Sequence, residues 1–301
     1  MKLASVLTLL TLSIVRLPAA EPAAVPVGEL AKNANLLEAG EVGKVLTVQL
    51  PGDLLMKFVW CPPGTFVMGS PPGEDGRMTD EDQVQVRISK GFWLGQTEVT
   101  QAQWQAVMGT TFEQQVEKTG TTGWIKGMGD DHPMYFVNWD DAQSFVNKLG
   151  DEAGLSAAWK CTLPTEAQWE YACRAGTTST FSFGNTLTSL QANIDPRNVF
   201  QPKTLKEVAV EKTCAVGSYP ANAWGLYDMH GNVHEWCLDL RYDTLVGGTD
   251  PVGTGPHTYR VFRGGAWNGN AYRCRSACRY AEPPICRGPS QGFRIALVQI
   301  K

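Results

Sequence analysis

The spacing of apolar and polar residues predicts three short helices. In residues 139–149, four apolar side chains recur at i, i+3, i+4 and i+7, which places them on one face of a helix. They are Ala142, Phe145, Val146 and Leu149. Asn138 stands where it caps the first turn of that helix. Residues 101–108 and 167–174 each follow a threonine with a glutamine three residues later, which is the spacing of a capping box.

Short apolar segments predict strands at residues 58–61, 65–68, 84–88, 92–95 and 293–298. The chain between them is rich in turn residues, because the protein has 31 glycines and 18 prolines. Few helices against short strands, with long loops between, indicate an irregular α+β domain and not a helical bundle.

Composition narrows the function classes. Hydrophobic residues are 43% and charged residues 19% of the chain, an ordinary globular balance that excludes a wholly disordered protein. The formal net charge of -4 leaves no excess of positive charge to hold a phosphate backbone. Nucleic acid is therefore not expected as a partner.

The N-terminus predicts export. A basic start is followed by an apolar run at residues 3–15, too short to span a bilayer, and by small residues ending at Ala20. Residues 1–20 are therefore predicted as a signal peptide, and residues 21–44, rich in Ala, Glu, Pro and Gly, as a flexible lead-in. One domain over residues 45–301 follows, with no transmembrane span, and a periplasmic or secreted location is expected.

Export places the eight cysteines in an oxidising compartment, where one or two disulfides and some free thiols are expected. Their spacing lacks the paired C-x2-C ligands of a zinc site. His230 and His234 stand four residues apart, but Gly231 and Asn232 between them oppose the helix that a zinc protease would need. The sequence has neither a serine-hydrolase elbow nor a phosphate-binding glycine loop.

A set of short phrases follows in fixed order along residues 56–298. They are FVMGS at 66–70, TEVT at 97–100, VNW at 137–139, LPTEAQWEY at 163–171, GLYDMHGNVHEW at 225–236, RGGAW at 263–267 and GFR at 292–294. Together they resemble the formylglycine-generating enzyme family, also called the sulfatase-modifying factor family. The resemblance implies an irregular, loop-rich α+β fold of the C-type-lectin-like kind.

Active members of that family use oxygen and a copper ion to oxidise a sulfatase cysteine to formylglycine. Two thiolates five residues apart hold the copper, as expected for soft Cu(I). Here the second position is Cys274, but the first is Gly269, which has no side chain. Ala266 and His234 also stand where active members carry Ser and Trp. The resemblance therefore implies a divergent member that lacks the first copper-binding cysteine.

Two further thiols bear on this position. Cys278 lies four residues after Cys274, so one helical turn would bring them together as an alternative pair. The resemblance instead implies a Cys173–Cys278 disulfide, because some family members have bridging cysteines near these positions. Cys274 is then a lone thiol, either a small buried hydrophobic residue or a reactive group.

The resemblance also implies calcium. The expected ligands are the carboxylates of Asp228 and Glu235 and the carbonyls of Gly231 and Val233. Calcium prefers such hard oxygen ligands, and the alternative is an ordinary hydrogen-bonded turn. A second family site would begin at Asn193 and Ile194, although the segment that should complete it, near residues 207–210, does not match clearly.

The family docks an extended peptide in a groove, and the resemblance places Trp267, Arg279 and Arg287 there. The alternative for the arginines is a structural role, bridging loops through carboxylates and carbonyls. Trp267 suits core packing equally well.

Two functions remain in view. The preferred one is an exported binding or accessory protein that kept the scaffold and lost the copper chemistry, with an extended peptide or a protein, such as a sulfatase, as partner. The alternative is a divergent oxygen-dependent oxidase that converts a sulfatase cysteine to formylglycine, with Cys274 as the catalytic residue and copper as cofactor. No set of two histidines and a carboxylate supports an iron enzyme. Calcium is the cofactor expected under the preferred function.

Overall fold

The computed structural model describes residues 23–38, 40–120, 125–155, 158–196 and 209–300. The predicted signal peptide at residues 1–20 lies outside the described residues. Within these ranges, the helices are all too short or too polar to cross a membrane.

Helices form where the capping pattern predicts them. In the described part of the chain they are Gln101–Met108 (α1), Phe112–Glu117 (α2), Trp139–Glu152 (α3) and Glu166–Arg174 (α4). Each begins at a complete capping box, in which the capping side chain and the residue three positions later satisfy each other's backbone N–H groups. The apolar stripe predicted for α3 is buried. The sequence analysis missed α2, although Thr111 and Gln114 repeat the same pattern.

The strands form three sheets. Those described are Val25–Pro26 (β1), Val45–Gln49 (β2), Leu55–Cys61 (β3), Gly64–Met68 (β4), Val84–Ile88 (β5), Phe92–Gly95 (β6), Trp159–Thr162 (β7), His234–Leu240 (β8), Gly248–Thr249 (β9), Arg260–Arg263 (β10), Tyr280–Glu282 (β11), Gln291–Gly292 (β12) and Ala296–Gln299 (β13). The main sheet has the order β1-β2-β3-β6-β13-β7, and the others are β11-β10-β8-β12 and β4-β5-β9. Short sheets with few helices give the irregular α+β architecture that the sequence predicts.

The lead-in expected at residues 21–44 is packed onto the domain from Val25 onward. β1 pairs in parallel with β2. Leu30 and Leu37 are buried, and the indole N–H of Trp93 donates a hydrogen bond to the Leu37 carbonyl at 3.1 Å. Burial of these apolar side chains stabilises the packing of this segment against the domain, although its composition alone predicts a tether. The packed domain therefore begins before residue 45.

Buried ion pairs join α4 to β10 and to Arg279, which immediately precedes β11. Arg263 is fully buried and donates to Glu166 at 3.0 Å and to Glu170 at 2.5 Å. Arg279 binds both carboxylate oxygens of Glu166 at 2.7 Å, and Arg174 pairs with Glu170 at 2.9 Å. We call this group the α4 network; its members are Arg263, Arg279, Arg174, Glu166 and Glu170. It fixes the segment that leads into the glycine pair at 264–265.

Candidate functional site

The loop before β8 lies directly against the segment at residues 193–194. Gly231 has a φ of +101°, and a Cβ atom there would come within 2.4 Å of the Asn193 carbonyl oxygen. The Asn232 N–H donates to that carbonyl at 2.9 Å. Asp228 and Asn232 also adopt positive φ, which non-glycine residues rarely do. The structure thus brings together the residues that the sequence assigned to two separate calcium sites.

Three carboxyl groups and one guanidinium, those of Glu98, Asp228, Glu235 and Arg294, meet under this loop and are called here the acidic centre. Arg294 donates to both oxygens of Glu235, at 2.5 and 2.7 Å. Glu235 also accepts from the Trp169 indole N–H at 2.7 Å. Asp228 accepts from the Gly217 N–H at 2.6 Å. The carboxyl groups therefore outnumber the positive charge.

Glu98 has the least compensation in the acidic centre. One of its oxygens accepts from Asn232 at 3.1 Å, while the other, Oε2, is buried and receives no hydrogen bond. Burial, Asp228 and Glu235 raise the pKa of Glu98 well above its ordinary value. Burial also raises the pKa of Asp228 to about 6. The acidic centre therefore favours taking up a proton or another cation. Sequence analysis missed Glu98, because TEVT was interpreted only as a family phrase that leads into a helix.

The acidic centre suits a cation that takes oxygen ligands. Within the described ranges, no three histidine, cysteine, aspartate or glutamate side chains are arranged to hold a metal ion by themselves. Amide and carbonyl oxygens would have to contribute, and the buried Asn193 Oδ1 beside the centre receives no hydrogen bond. Calcium commonly combines such ligands. Calcium held by Asp228, Gly231, Val233 and Glu235 stays a prediction, with Glu98 as an added candidate ligand.

The second predicted calcium site is only partly described. The side chain of Asn193 donates to the Lys212 carbonyl at 2.8 Å and to Asn232 Oδ1 at 3.1 Å. Ile194 is buried, and its side chain lies against Gly231. Residues 197–208, which include half of the segment expected to complete the site, lie outside the described residues. Asn193 and Ile194 therefore belong spatially with the acidic centre.

Gly269, at the position of the first copper-binding thiol, offers only backbone atoms. The Gly269 N–H donates to the Ala266 carbonyl at 2.8 Å, and its own carbonyl accepts from the Asp195 N–H at 2.8 Å. Cys274, the second position, is fully buried. Burial and the neighbouring Cys278 raise the pKa of its thiol, so that it stays protonated at neutral pH. These residues do not fit a Cu(I) ion held by two thiolates.

Cys173 and Cys278 lie near Cys274, and His230 joins them. The Cys173 sulfur lies 3.8–3.9 Å from the two ring nitrogens of His230 and 3.7 Å from the Ser276 hydroxyl. Burial lowers the pKa of His230 to about 4 and raises that of Cys173 to about 12. All eight cysteines are free thiols, so the expected Cys173–Cys278 disulfide is not formed in this structure. The group is neutral and shielded from water.

The predicted groove residues differ in accessibility. Arg279 is 3% exposed and its guanidinium is bound to Glu166, so it lies beneath the surface in the α4 network. Arg287 is closer to the surface and pairs with Asp141 at 2.9 Å. Trp267 is 7% exposed, and its indole N–H donates to the Pro289 carbonyl at 3.4 Å. Of the three, Arg287 alone presents a partly exposed charge.

Two polar atoms without partners lie on the neighbouring strands β8 and β12. His234 of β8 and Gln291 of β12 are opposite each other in the sheet. His234 Nδ1 and Gln291 Oε1 are buried and form no hydrogen bond within the protein. The His234 ring packs edge-on against Phe262 and Tyr280, with centroid distances of 4.8 and 5.3 Å. Each of these atoms carries the cost of an unmade hydrogen bond.

Comparison with known proteins covers nearly the whole described domain. A family model described as "Sulfatase-modifying factor enzyme 1-like domain" matches residues 48–298. The chain is 28% identical over 287 residues to the formylglycine-generating enzyme of Streptomyces coelicolor, covering 79% of this chain and 88% of that enzyme. It is 34% identical over 171 residues to the serine/threonine-protein kinase pkn1 of Chlamydia caviae, covering 55% of this chain. The chain spans only 24% of the length of that kinase.

Among solved structures, PvdO from Pseudomonas aeruginosa is similar, with a TM-score of 0.69 and 26% sequence identity. The match covers 86% of this chain and 99% of PvdO. The predicted loop-rich C-type-lectin-like fold is thereby confirmed.

Proposed function

The chain belongs to the sulfatase-modifying factor enzyme 1-like family, and we propose that it is an exported member that binds a protein partner without copper oxidase chemistry. The observation that carries the proposal is Gly269, which leaves the first thiol position without a ligand atom. Burial of Cys274 supports it, because a protonated thiol is a poor ligand for Cu(I).

The decisive experiment offers the protein the family reaction. Purified protein is incubated with Cu(I), oxygen and a Cys-x-Pro-x-Arg peptide, and the peptide mass is measured. The Streptomyces coelicolor enzyme under identical conditions is the positive control. We expect unmodified peptide from this chain. Formylglycine production that disappears in Cys274→Ser would overturn the proposal and establish the oxidase alternative.

The binding surface is assigned to the groove beside Trp267, His234, Gln291 and Tyr280. An extended peptide carries backbone N–H and C=O groups, which would satisfy His234 Nδ1 and Gln291 Oε1 once these buried side chains turn toward it. Tyr280 offers an aromatic wall. Arg287 adds a positive charge near the same strands.

Fluorescence anisotropy with labelled sulfatase-derived peptides tests this surface. Tyr280→Ala is expected to weaken binding by about tenfold, in the range found for aromatic interface residues. Tyr259→Ala is the matched control, because Tyr259 is 49% exposed and lies outside the groove. Equal losses in the two variants would contradict the assignment.

Export and calcium complete the proposal. A protein processed after Ala20 would show a new N-terminus in the periplasm or medium, which N-terminal sequencing measures. Unprocessed chain in the cytoplasm would contradict export. Calcium is proposed as a structural ion at the acidic centre, supported by the unpartnered oxygens of Glu98 and Asn193.

A further inference from the structure

An apolar cavity of about 380 Å³ opens on the side of the main sheet where β6, β13 and β7 approach β5 and β8. Its volume lies within the range of about 300–1,000 Å³ that is typical of small-molecule sites. None of its lining residues belongs to the acidic centre or to the groove. The apolar part of the wall consists chiefly of Ile88, Phe92, Leu163, Leu238, Val252 and Val298.

The interior and the rim of the cavity differ. Ile88, Phe92 and Leu163 are at most 2% exposed and form a dry interior wall. Val252 and Ile300 also line the cavity but are 40% and 41% exposed. Large apolar side chains left in water around a concave apolar wall are typical of a binding site.

The charged groups that line the cavity differ in how free they are to bind a ligand. Lys90 and Lys160 line the cavity and are exposed. Among the described residues that line the cavity, Asp250 carries the one carboxylate. It accepts hydrogen bonds from both the N–H and the hydroxyl of Ser89. Lys90 donates to the Ile300 carbonyl at 3.3 Å. The ammonium of Lys160 is therefore the charge best placed to meet an incoming anion.

We infer that this cavity binds a medium-chain aliphatic carboxylate, with the alkyl chain against the apolar wall and the carboxylate at Lys160. An apolar cavity alone would accept any alkyl chain. The two lysines select an anionic head group over a neutral or cationic one, because opposite charges attract across the rim.

Titration calorimetry of the purified protein tests the inference with octanoate, decanoate, decanol and decyltrimethylammonium. The ionic compounds are kept below their micelle concentrations and decanol below its solubility limit. Decanoate is expected to bind about fifteenfold more tightly than octanoate, because each added methylene contributes about fourfold. Decyltrimethylammonium is expected to bind more weakly than decanol, and decanol more weakly than decanoate.

Two exposed positions give variants that leave the fold intact. Lys160→Glu is expected to weaken decanoate binding by about tenfold, whereas Lys148→Glu, an exposed lysine on α3 outside the cavity, leaves it unchanged. Val252→Trp narrows the rim and weakens all chains, whereas Val210→Trp, at a valine of 41% exposure elsewhere, does not. Circular dichroism verifies that each variant is folded.

Absence of saturable decanoate binding would overturn the inference. Decyltrimethylammonium that binds as tightly as decanoate, or an unchanged affinity in Lys160→Glu, would overturn the assignment of an anionic ligand. Neither result depends on peptide binding or oxidase activity, so the inference and the proposed function fail separately.

Discussion

Replacing Arg263 with methionine should destabilise the protein strongly, because Arg263 connects two buried carboxylates of the α4 network. Its guanidinium contacts Glu166 at 3.0 Å and Glu170 at 2.5 Å, and its side chain has no exposed surface. Removing one partner of a buried ion pair costs about 3–5 kcal/mol. Here Glu166 keeps Arg279 and Glu170 keeps Arg174, so we expect a loss at the lower end of that range. For a domain of this size that corresponds to a fall in Tm of about 10 °C.

Urea denaturation at pH 7 measures the loss in the free energy of unfolding. Repeating it at lower pH tests whether the ion pairs cause that loss. Burial by itself raises the pKa of Glu166, but Arg279 and Arg263 outweigh burial and hold that pKa below its ordinary value. The stability from this pairing is therefore present at neutral pH and is lost as the pH falls through the range where carboxylates protonate. The difference between wild type and Arg263→Met should shrink toward pH 4.

The double variant Arg263→Met/Glu170→Gln is the matched control, because it also removes the charge of the carboxylate that has lost Arg263 as one of its two arginine partners. It should recover part of the free energy lost in the single variant. A loss below about 1 kcal/mol in Arg263→Met, or a loss independent of pH, would refute the reasoning, since exposed ion pairs behave that way.

Three further predictions concern buried ionisable groups. Burial and Glu166 raise the pKa of Asp239 to about 7, so the free energy of unfolding should fall as the pH rises from about 4 to about 7. Urea titrations should show that Asp239→Asn flattens this fall. Glu98→Gln should raise the Tm in chelator and reduce the gain on adding calcium, and an equal gain in both proteins would contradict its place at a cation site. Iodoacetamide followed by mass mapping should label Cys286 before Cys274, because the Cys274 thiol is fully buried.

The sequence predicts local structure well where the signal is local. Capping boxes and the apolar stripe place α1, α3 and α4 to within a few residues, because both depend on neighbours three or four positions apart. The second sheet was not predicted. β8 pairs with β10 and β12, which lie farther along the chain. The residues of these strands carry no local pattern that predicts the pairing.

The site shows the same limit. The phrases GLYDMHGNVHEW and TEVT both reach the acidic centre, but only the fold reveals that Glu98 faces Asp228 across 130 residues of sequence. The family resemblance placed Arg279 in the peptide groove. Its partner Glu166 belongs to a distant helix, and that pairing draws its side chain beneath the surface.

The position of β13 constrains when this protein can fold. β13, at residues 296–299, lies between β6 and β7 and hydrogen-bonds to both. β7 therefore stays separate from the other strands of the main sheet until residues 296–299 have left the ribosome. Contacts between such distant parts of a chain form slowly. A nascent chain cannot complete this sheet before β13 emerges, and deleting residues 296–299 would detach β7 from the other four strands.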